Sequence, residues 1–452
     1  MPPLPSLAEL IRTFAKVGIL GFGGPAAQIA LMHRIVVDEK RWLGEARFLH
    51  ALNYCMLLPG PEAQQLATYI GWLTHGTRGG LISGLLFILP GALIMLALSA
   101  LYAAFAHIPL IQGVFTGIKC AVLVIVLQAL IRLAGRALRT SVLRWLALLA
   151  FLALFLFGAP FPLVVLGAGL AGFVLSRALP GSMTLARTHA ANADAPDTGL
   201  IDAHIETGGL THIQPRAATF WRQLILGLAL WLAPVALLAL LLPGSVFADL
   251  GRFFATMAVV TFGGAYAVLS YVAQEAVQTY AWLSPAQMID GLGLAETTPG
   301  PLILVLEFTG FLAAFGADTG LNPFVAGTLG ALLTLWVTFA PSFLFIFAGA
   351  PYAEALRTRP GLNAALAAVT AAVVGVIANL ALWFALHVLF REVTTFTGYG
   401  LSLAVPRLAT LDLVALALTA AALLLVLRFR VGVATLVALF AAAGMAVTLS
   451  QT

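Results

Sequence analysis

A few polar residues interrupt the long apolar stretches of this sequence, and several of them lie next to glycine and proline. Gln28 follows a Phe-Gly-Gly-Pro run, Gln64 follows a Pro-Gly-Pro run, and Glu62 and Glu296 flank the two Pro-Gly-Pro runs of the chain. Glycine weakens a helix and proline removes one of its hydrogen bonds, so the backbone at these runs should carry free N–H groups. Free N–H groups at a helix start, together with amide donors, suit the binding of an oxyanion.

The same runs occur twice, which indicates an internal duplication. Three motifs recur at a separation of 240 positions: Phe22-Gly23-Gly24 with Phe262-Gly263-Gly264, Trp42-Leu43 with Trp282-Leu283, and Pro59-Gly60-Pro61 with Pro299-Gly300-Pro301. Farther along, Pro90 matches Pro341 at a separation of 251. The chain is therefore divided into an N-terminal half, 1–179, a polar linker, 180–215, and a C-terminal half, 216–452.

Composition places these motifs in a membrane. Hydrophobic residues make up 61% of the 452 residues, charged residues only 9%, and the mean hydropathy is +1.03. A membrane-spanning helix needs about 20 apolar residues. The pattern predicts an all-α polytopic membrane protein with about thirteen segments: 8–31, 48–74, 81–106, 111–131, 143–157, 161–176, 219–242, 253–273, 286–314, 322–350, 362–390, 408–427 and 431–449.

Arginine-rich loops predict the orientation of these segments. The loop around Arg132–Arg144 and the linker should face the cytoplasm, which places the N-terminus inside as well. One loop conflicts with this scheme, because the basic residues between Arg34 and Arg47 fall outside. Either Asp38, Glu39 and Glu45 mask this charge, or the 48–74 segment does not fully cross.

An odd number of crossings separates the two copies, so the halves should be inverted relative to each other. Inverted repeats with broken helices are typical of secondary transporters, whose substrate lies near the midplane. Two helix starts after Pro-Gly-Pro could then converge on one oxyanion. The alternative for Gly-Gly is close helix packing, and the alternative for Pro-Gly-Pro is a simple kink or turn.

Ionisable residues inside apolar segments are candidate functional groups. Lys119 has no acidic neighbour in sequence and fits a contact to a divalent anion, or else it extends its stem toward the interface. Glu62 and Glu296 suit proton coupling or pairing with a cation, and Glu62 is equally suited to cap a helix start. Glu307, on the second copy alone, is a candidate buried structural acid.

Neutral donors near the breaks include Gln28, Gln64, Gln65, Thr297 and Thr298. Each can donate to an oxyanion, or can instead satisfy a carbonyl that the break frees. Tyr266 occupies the position of Ala26 in the first copy, so the two halves should play unequal roles.

The motifs resemble those of the chromate ion transporter family in its long two-domain form. The similarity rests on Phe22-Gly23-Gly24-Pro25-Ala26-Ala27-Gln28, on Leu58–Leu66 around the first Pro-Gly-Pro, and on Thr261–Tyr266 and Gly293–Pro301 in the second half. This resemblance implies potential- or proton-linked export of chromate from the bacterial cytoplasm, with sulfate as a close mimic, and it favours Gln28 and Gln64 among the donors. The expected substrate-binding set is Phe22, Gly23, Gly24, Pro25, Gln28, Pro59, Gly60, Pro61, Gln64, Lys119, Phe262, Gly263, Gly264, Thr297, Thr298, Pro299, Gly300 and Pro301, with Glu62 and Glu296 as coupling residues.

Other classes of protein fit less well. The sequence holds no catalytic constellation, metal-ligand spacing or Walker A loop, so we expect neither an enzyme nor a cofactor. An anion channel of the same architecture, or a transporter of sulfate or another anion, is the alternative. Expected partners are chromate, sulfate, the lipid bilayer and a second copy in a homodimer, without nucleic acid, and the expected location is the bacterial inner membrane.

Overall fold

The chain folds almost entirely into helices. A computed structural model describes residues 3–178, 199–260, 262, 265–352, 360–398, 400–429 and 431–451. Within these residues, seven helices are long and apolar enough to cross a membrane, and three shorter apolar helices accompany them. The predicted all-α polytopic class is confirmed.

The helices are numbered in chain order. Those of the first half are α1 (Leu7–Leu20), α2 (Gly24–His33), α3 (Glu45–Leu57), α4 (Glu62–Phe105), α5 (Pro109–Ala137), α6 (Ser141–Phe157) and α7 (Phe161–Ala178). Those of the linker and second half are α8 (Leu200–Glu206), α9 (Ala217–Leu241), α10 (Val246–Val260), α11 (Ala265–Gln274), α12 (Pro285–Thr297), α13 (Val305–Phe315), α14 (Pro323–Gly349), α15 (Pro360–Leu389), α16 (Leu413–Phe429) and α17 (Val433–Gln451).

The glycine and proline runs break the predicted segments. The 8–31 segment divides between α1 and α2, and the 48–74 segment divides between α3 and α4. At the Pro-Gly-Pro runs the backbone turns left-handed, with φ of +107° at Gly60 and +92° at Gly300. Residues with a Cβ rarely adopt such angles, so the sequence imposes the breaks locally. Gly263 and Gly264 lie outside the described residues.

Helix α4 is two helices joined by a tight turn at His75 and Gly76. We call 62–75 its first arm and 77–105 its second arm. The arms pack closely through small residues, since a Cβ added at Gly71 would lie 2.3 Å from the carbonyl oxygen of Gly79. Ser83 on the second arm donates to the carbonyl of Ala67 on the first at 2.7 Å. The first arm corresponds to the part of the predicted 48–74 segment that follows its break, and the second arm corresponds to the predicted 81–106 segment.

The duplication extends to details of the backbone. A π-helical turn follows both α2 and α11, at Arg34–Glu39 and Glu275–Thr279. The left-handed residues that end these turns are Arg41 and Ala281, with φ of +50° and +51°. The N–H of the next tryptophan then donates over 2.8 Å in both copies, from Trp42 to Val36 and from Trp282 to Ala276. Matching sequence motifs therefore produce matching local folds.

The described chain forms two compact units. The first comprises Met1–Leu96, Ala186–Ala265 and Thr298–Arg359, so it draws on both halves of the sequence. Its core is a cluster of apolar side chains that come mainly from α1, α3, both arms of α4 and the end of α14. Phe14, Phe48 and Phe87 are among its fully buried members.

The second unit comprises Ala97–Leu185, Tyr266–Thr297 and Pro360–Thr452. Helix α5 packs against α17, and α15 packs against α6 and α7. The α5–α17 contact is backbone to backbone, because a Cβ at Gly113 or Gly117 would clash with α17. Small residues at such contacts are common in membrane helices.

One element of the second unit departs from the all-α prediction. Strands β1 (Val393–Gly398) and β2 (Leu401–Pro406) form a short antiparallel hairpin, with Val393 opposite Pro406 and Gly398 opposite Leu401. Gly400 lies in the turn, with φ of +75°. Threonine and valine in β1 favour the extended backbone, and the hairpin lies in the polar stretch between the predicted apolar segments 362–390 and 408–427.

The described part of the linker packs on the loop between α2 and α3. Asp202 of α8 accepts from the N–H of Gly44 at 2.6 Å and from Arg47 at 3.0 Å. Lys40 pairs with Glu9 at 2.7 Å, and Arg34 lies 3.5 Å from Glu39.

Acidic groups thus lie beside three of the basic residues that conflict with the orientation scheme. Of the three acidic residues predicted to mask them, Glu39 pairs with Arg34, whereas Asp38 and Glu45 pair with His33.

Candidate functional site

Two of the helix breaks meet directly in the first unit. The N–H of Gly300 donates to the carbonyl oxygen of Gly21 at 3.0 Å, which joins the second Pro-Gly-Pro run to the break between α1 and α2. The side-chain amide of Gln28 donates to that same carbonyl at 3.0 Å and also to the carbonyl of Gly300. Gln28 is fully buried and its Oε1 has no partner among the described residues. It is therefore the side chain that ties the two breaks together.

Each Pro-Gly-Pro run packs against a helix of the other copy. Gly300 lies against Gly91 of the second arm of α4, where a Cβ at Gly91 would be only 2.2 Å from the carbonyl oxygen of Pro299. Gly60 lies against Ser342 of α14, with 3.1 Å between the position of a Cβ at Gly60 and Ser342 Oγ. Gly91 and Ser342 follow the matching prolines of the two copies. Within this unit, each Pro-Gly-Pro run therefore contacts the proline-containing helix of the other copy.

A small cavity lies among these breaks. Its lining includes Pro25, Gln28, the first turn of α4 and the segment after the second Pro-Gly-Pro run. The space open to the centre of a water molecule is about 10 Å³, which is about the room that one water needs. Glu62, the first residue of α4, lines this cavity. The first N–H groups of α4 have no intrahelical acceptor and carry the positive end of the helix dipole.

The glutamines that follow the first Pro-Gly-Pro run have partners close by in the sequence. Gln65 donates to the carbonyl of Pro59 at 2.7 Å, which holds the break in place. Gln64 donates to Thr68 at 2.9 Å and does not line the cavity. The Oε1 atoms of both glutamines are buried without a partner among the described residues.

The remaining predicted residues of the FGG motifs differ in exposure. Phe22 is 44% exposed, beside the left-handed Gly23 and Gly24. Phe262 is partly buried.

The candidate residues near α12 have local partners. Glu296 is buried and accepts a hydrogen bond from the Tyr266 hydroxyl at 2.8 Å. Thr297 donates to the carbonyl oxygens of Gly293 and Leu294, one turn earlier. The Thr297 hydroxyl thus satisfies its own helix, which is the second of the two roles considered for it. Thr298 is buried.

Lys119, which is partly buried, forms an ion pair that its neighbours in the sequence did not predict. Its ammonium lies 3.2 Å from Asp290 of α12, and the Tyr102 hydroxyl donates to the same carboxylate at 2.8 Å. The side chain of Asp290 is 5% exposed. An available signal was that Asp290 is an ionisable residue inside an apolar segment. An anion contact for Lys119 remains a prediction, and it requires the ammonium to be shared with Asp290 or released from it.

Metal ligands do not gather in the part of the chain that the structure describes. No group of three or more His, Cys, Asp and Glu side chains there is placed to hold a metal ion. The chemistry of the cavity is therefore that of amide donors, helix-start N–H groups and one carboxyl.

Comparison with known proteins gives the family. The model of the chromate transporter family matches residues 8–173 and 248–446. The chain is 32% identical over 383 residues to a chromate transport protein of Pseudomonas aeruginosa, covering 83% of this chain and 80% of that protein.

Two further relatives have similar coverage. A chromate transport protein of Cupriavidus metallidurans is 28% identical, covering 83% of this chain and 82% of that protein. A probable chromate transport protein of Synechococcus elongatus is 27% identical, covering 83% and 84%. No solved structure matches the chain. The match of the family model to both halves shows that the chain belongs to the chromate transporter family.

Proposed function

We propose that the chain exports chromate across the bacterial inner membrane, driven by the proton-motive force or by ion exchange, and so confers chromate resistance. The observation that carries this proposal is the meeting of the Gly21 and Gly300 breaks under the Gln28 amide. Secondary transporters place their substrates at such discontinuous helices. The family relationship supplies chromate as the transported ion.

Gln28 would act as the closing element of the binding site. The cavity has room for about one water, whereas chromate carries four oxygens around its metal centre. The Gln28 amide is occupied by two backbone carbonyls in this closed conformation. Binding of the anion would turn these donors from the carbonyls to chromate oxygens while the breaks move apart. The N–H groups at the start of α4 would supply further donors.

The carboxyls near the breaks would couple the anion to protons. Glu62 lines the cavity, where an ionised carboxylate would repel a dianion. Protonation of Glu62 would therefore favour anion binding, and loss of that proton would favour release. The dianion and one proton would then move together with a net negative charge, which a membrane potential that is negative inside drives outward. Glu296, held by Tyr266, would play the corresponding part in the second copy.

Alternating access would follow from the inverted halves. The repeated π-turns and left-handed residues support a duplicated frame, and an odd number of predicted crossings between the copies supports their inversion. The N-terminus would lie in the cytoplasm, as the arginine-rich loops suggest. The narrowness of the cavity favours a transporter over an open channel.

Sulfate is a second candidate substrate. The donors that reach the cavity are neutral amide and backbone N–H groups, and they would bind either tetrahedral dianion. Discrimination between chromate and sulfate would then depend on the size of the opened cavity.

The test is uptake of labelled chromate by inverted membrane vesicles that contain the full chain, with and without a proton-motive force. We expect energised accumulation that excess sulfate competes away, and a strong loss in Gln28→Met. The matched control is Gln112→Met, which alters an exposed glutamine of α5 and should transport normally. Accumulation no greater than in vesicles without the chain would overturn the proposal.

A further inference from the structure

Glu307 is a buried carboxyl that the proposed mechanism does not yet use. It lies in the first turn of α13, is 1% exposed, and neither of its oxygens has a hydrogen-bond partner among the described residues. Burying an ionised carboxylate without a partner is very costly. In this conformation Glu307 must therefore be neutral, which requires a bound proton.

Helix α14, which packs on α13, carries a row of buried hydroxyl groups. Thr334, Thr338 and Ser342 recur every four residues, so they share one face of the helix, and all are buried. Thr334 donates to the carbonyl of Gly330, one turn earlier. The hydroxyls of Thr338 and Ser342 have no partner among the described residues.

The packing of α13 on α14 sets the register of this face. A Cβ at Gly310 would lie 2.1 Å from Thr334 Oγ1, and a Cβ at Gly330 would lie 2.7 Å from Ala314 Cβ. These contacts describe antiparallel helices. Glu307 comes one turn before Gly310 in α13. Because the helices are antiparallel and Gly310 lies beside Thr334, Glu307 lies at the level of Thr338, one turn after Thr334 in α14.

The same hydroxyl face ends at the first Pro-Gly-Pro run. Ser342 Oγ lies 3.1 Å from the position of a Cβ at Gly60, and Gln65 Nε2 lies 3.2 Å from that position. The first arm of α4, whose first residue Glu62 lines the cavity, begins two residues after Gly60. Thr338 and Ser342 thus form a buried polar series from the level of Glu307 to the break beside the cavity.

Other charged groups near Glu307 are few. Helix α14 and the short turn before α13 carry no ionisable side chain, and α13 carries only Glu307. Helix α10, which also packs on α13, carries Asp249 and the exposed Arg252. Neither is a hydrogen-bond partner of the Glu307 carboxyl. Among the described residues of these elements, a proton is thus the counter-charge that remains for it.

We propose that Glu307 is a further proton-binding residue of the transport cycle, and that Thr338 and Ser342 form the route by which its proton exchanges at the Pro59–Pro61 break. The cycle adds one proton to the ionised carboxyl and later releases it, with no other bond formed or broken. This inference rests on the proposed function, because it adds Glu307 to Glu62 and Glu296 as a carboxyl that couples transport to protons.

The first experiment tests the proton without any anion. Infrared difference spectra of the purified full chain between acidic and alkaline buffer should show bands of buried protonated carboxyls, and the band that Glu307 contributes should be absent in Glu307→Gln. Glu392→Gln, which changes an exposed carboxylate, is the matched control and should keep the band. An unchanged band in Glu307→Gln would overturn the proposal.

The second experiment tests coupling in proteoliposomes. In Glu307→Gln, exchange of labelled for unlabelled chromate should continue near the wild-type rate, while accumulation driven by an imposed pH gradient should fall to that of empty vesicles. Glu392→Gln should retain both. Gradient-driven accumulation in Glu307→Gln, or a wild-type protein driven by a sodium gradient in place of a pH gradient, would contradict the inference. Absence of exchange in the wild-type protein would instead count against chromate as substrate, and the infrared result would still decide on Glu307.

Discussion

Replacing Gly91 with alanine should disable transport although alanine favours the helix. Gly91 lies in the second arm of α4, where alanine is intrinsically better than glycine by about 0.5–1 kcal/mol. The added Cβ, however, would lie 2.2 Å from the carbonyl oxygen of Pro299, whereas ordinary contact begins at 3.4 Å. Relief requires a shift of about 1.2 Å between two pieces of backbone, and a misplacement of about 1 Å in a functional site can cost about 100-fold in rate.

The assay is chromate accumulation in inverted vesicles, with thermal unfolding of the purified protein measured in parallel. Gly91→Ala should lose about 100-fold in transport rate. The control is Gly135→Ala in α5, where nothing lies within 4 Å of the new Cβ. That variant should transport normally and unfold at the same or a higher temperature. Wild-type transport by Gly91→Ala would refute the claim that the contact with α4 positions the second Pro-Gly-Pro run.

Three further predictions follow from the site and the linker. Gln28→Met should weaken chromate binding by about 5–150-fold, since it removes a hydrogen-bond donor to the anion that contributes about 1–3 kcal/mol; equilibrium binding of labelled chromate measures this. Lys119→Met or Asp290→Asn should each destabilise the protein by about 3–5 kcal/mol, and the double variant should recover most of this loss in thermal unfolding; recovery of transport as well would rule out an anion contact for Lys119. Burial lowers the pKa of His212, so the stability that neutral His212 contributes is complete above pH about 6.5 and is lost as the pH falls toward the lowered pKa. The variant His212→Gln should therefore show a smaller fall in unfolding temperature on acidification than the wild-type protein. An unchanged dependence of the unfolding temperature on pH would exclude His212 as the cause of that fall.

The sequence could predict the helix breaks because their cause is local. Gly60 and Gly300 adopt angles that disfavour other residues, and the flanking prolines prevent a continuous helix whatever the surroundings are. The turn at Gly76 follows from the same reasoning. Such positions need no knowledge of distant contacts, so their residue types were sufficient.

Partners that come from distant parts of the chain could not be predicted. Lys119 was expected to be available to an anion, but the fold brings Asp290 to within 3.2 Å of it. The close approach of Gly91 to Pro299 could not be predicted from the sequence either. Both contacts depend on how helices from different halves pack, and an apolar pattern does not specify that packing.

The two copies share a backbone conformation but carry different polar side chains at matching positions. Val268 stands where the first copy has Gln28, so one copy alone supplies the amide that joins the breaks. The second Pro-Gly-Pro run packs against the backbone of Gly91, which has no side chain. The first run packs against the buried hydroxyl of Ser342, the counterpart of Gly91. Two equivalent anion sites would require equivalent donors. A coupled transporter instead requires one place for the anion and another for its driving ion, and this divergence provides the Gln28 amide for the first and the hydroxyl series to Glu307 for the second.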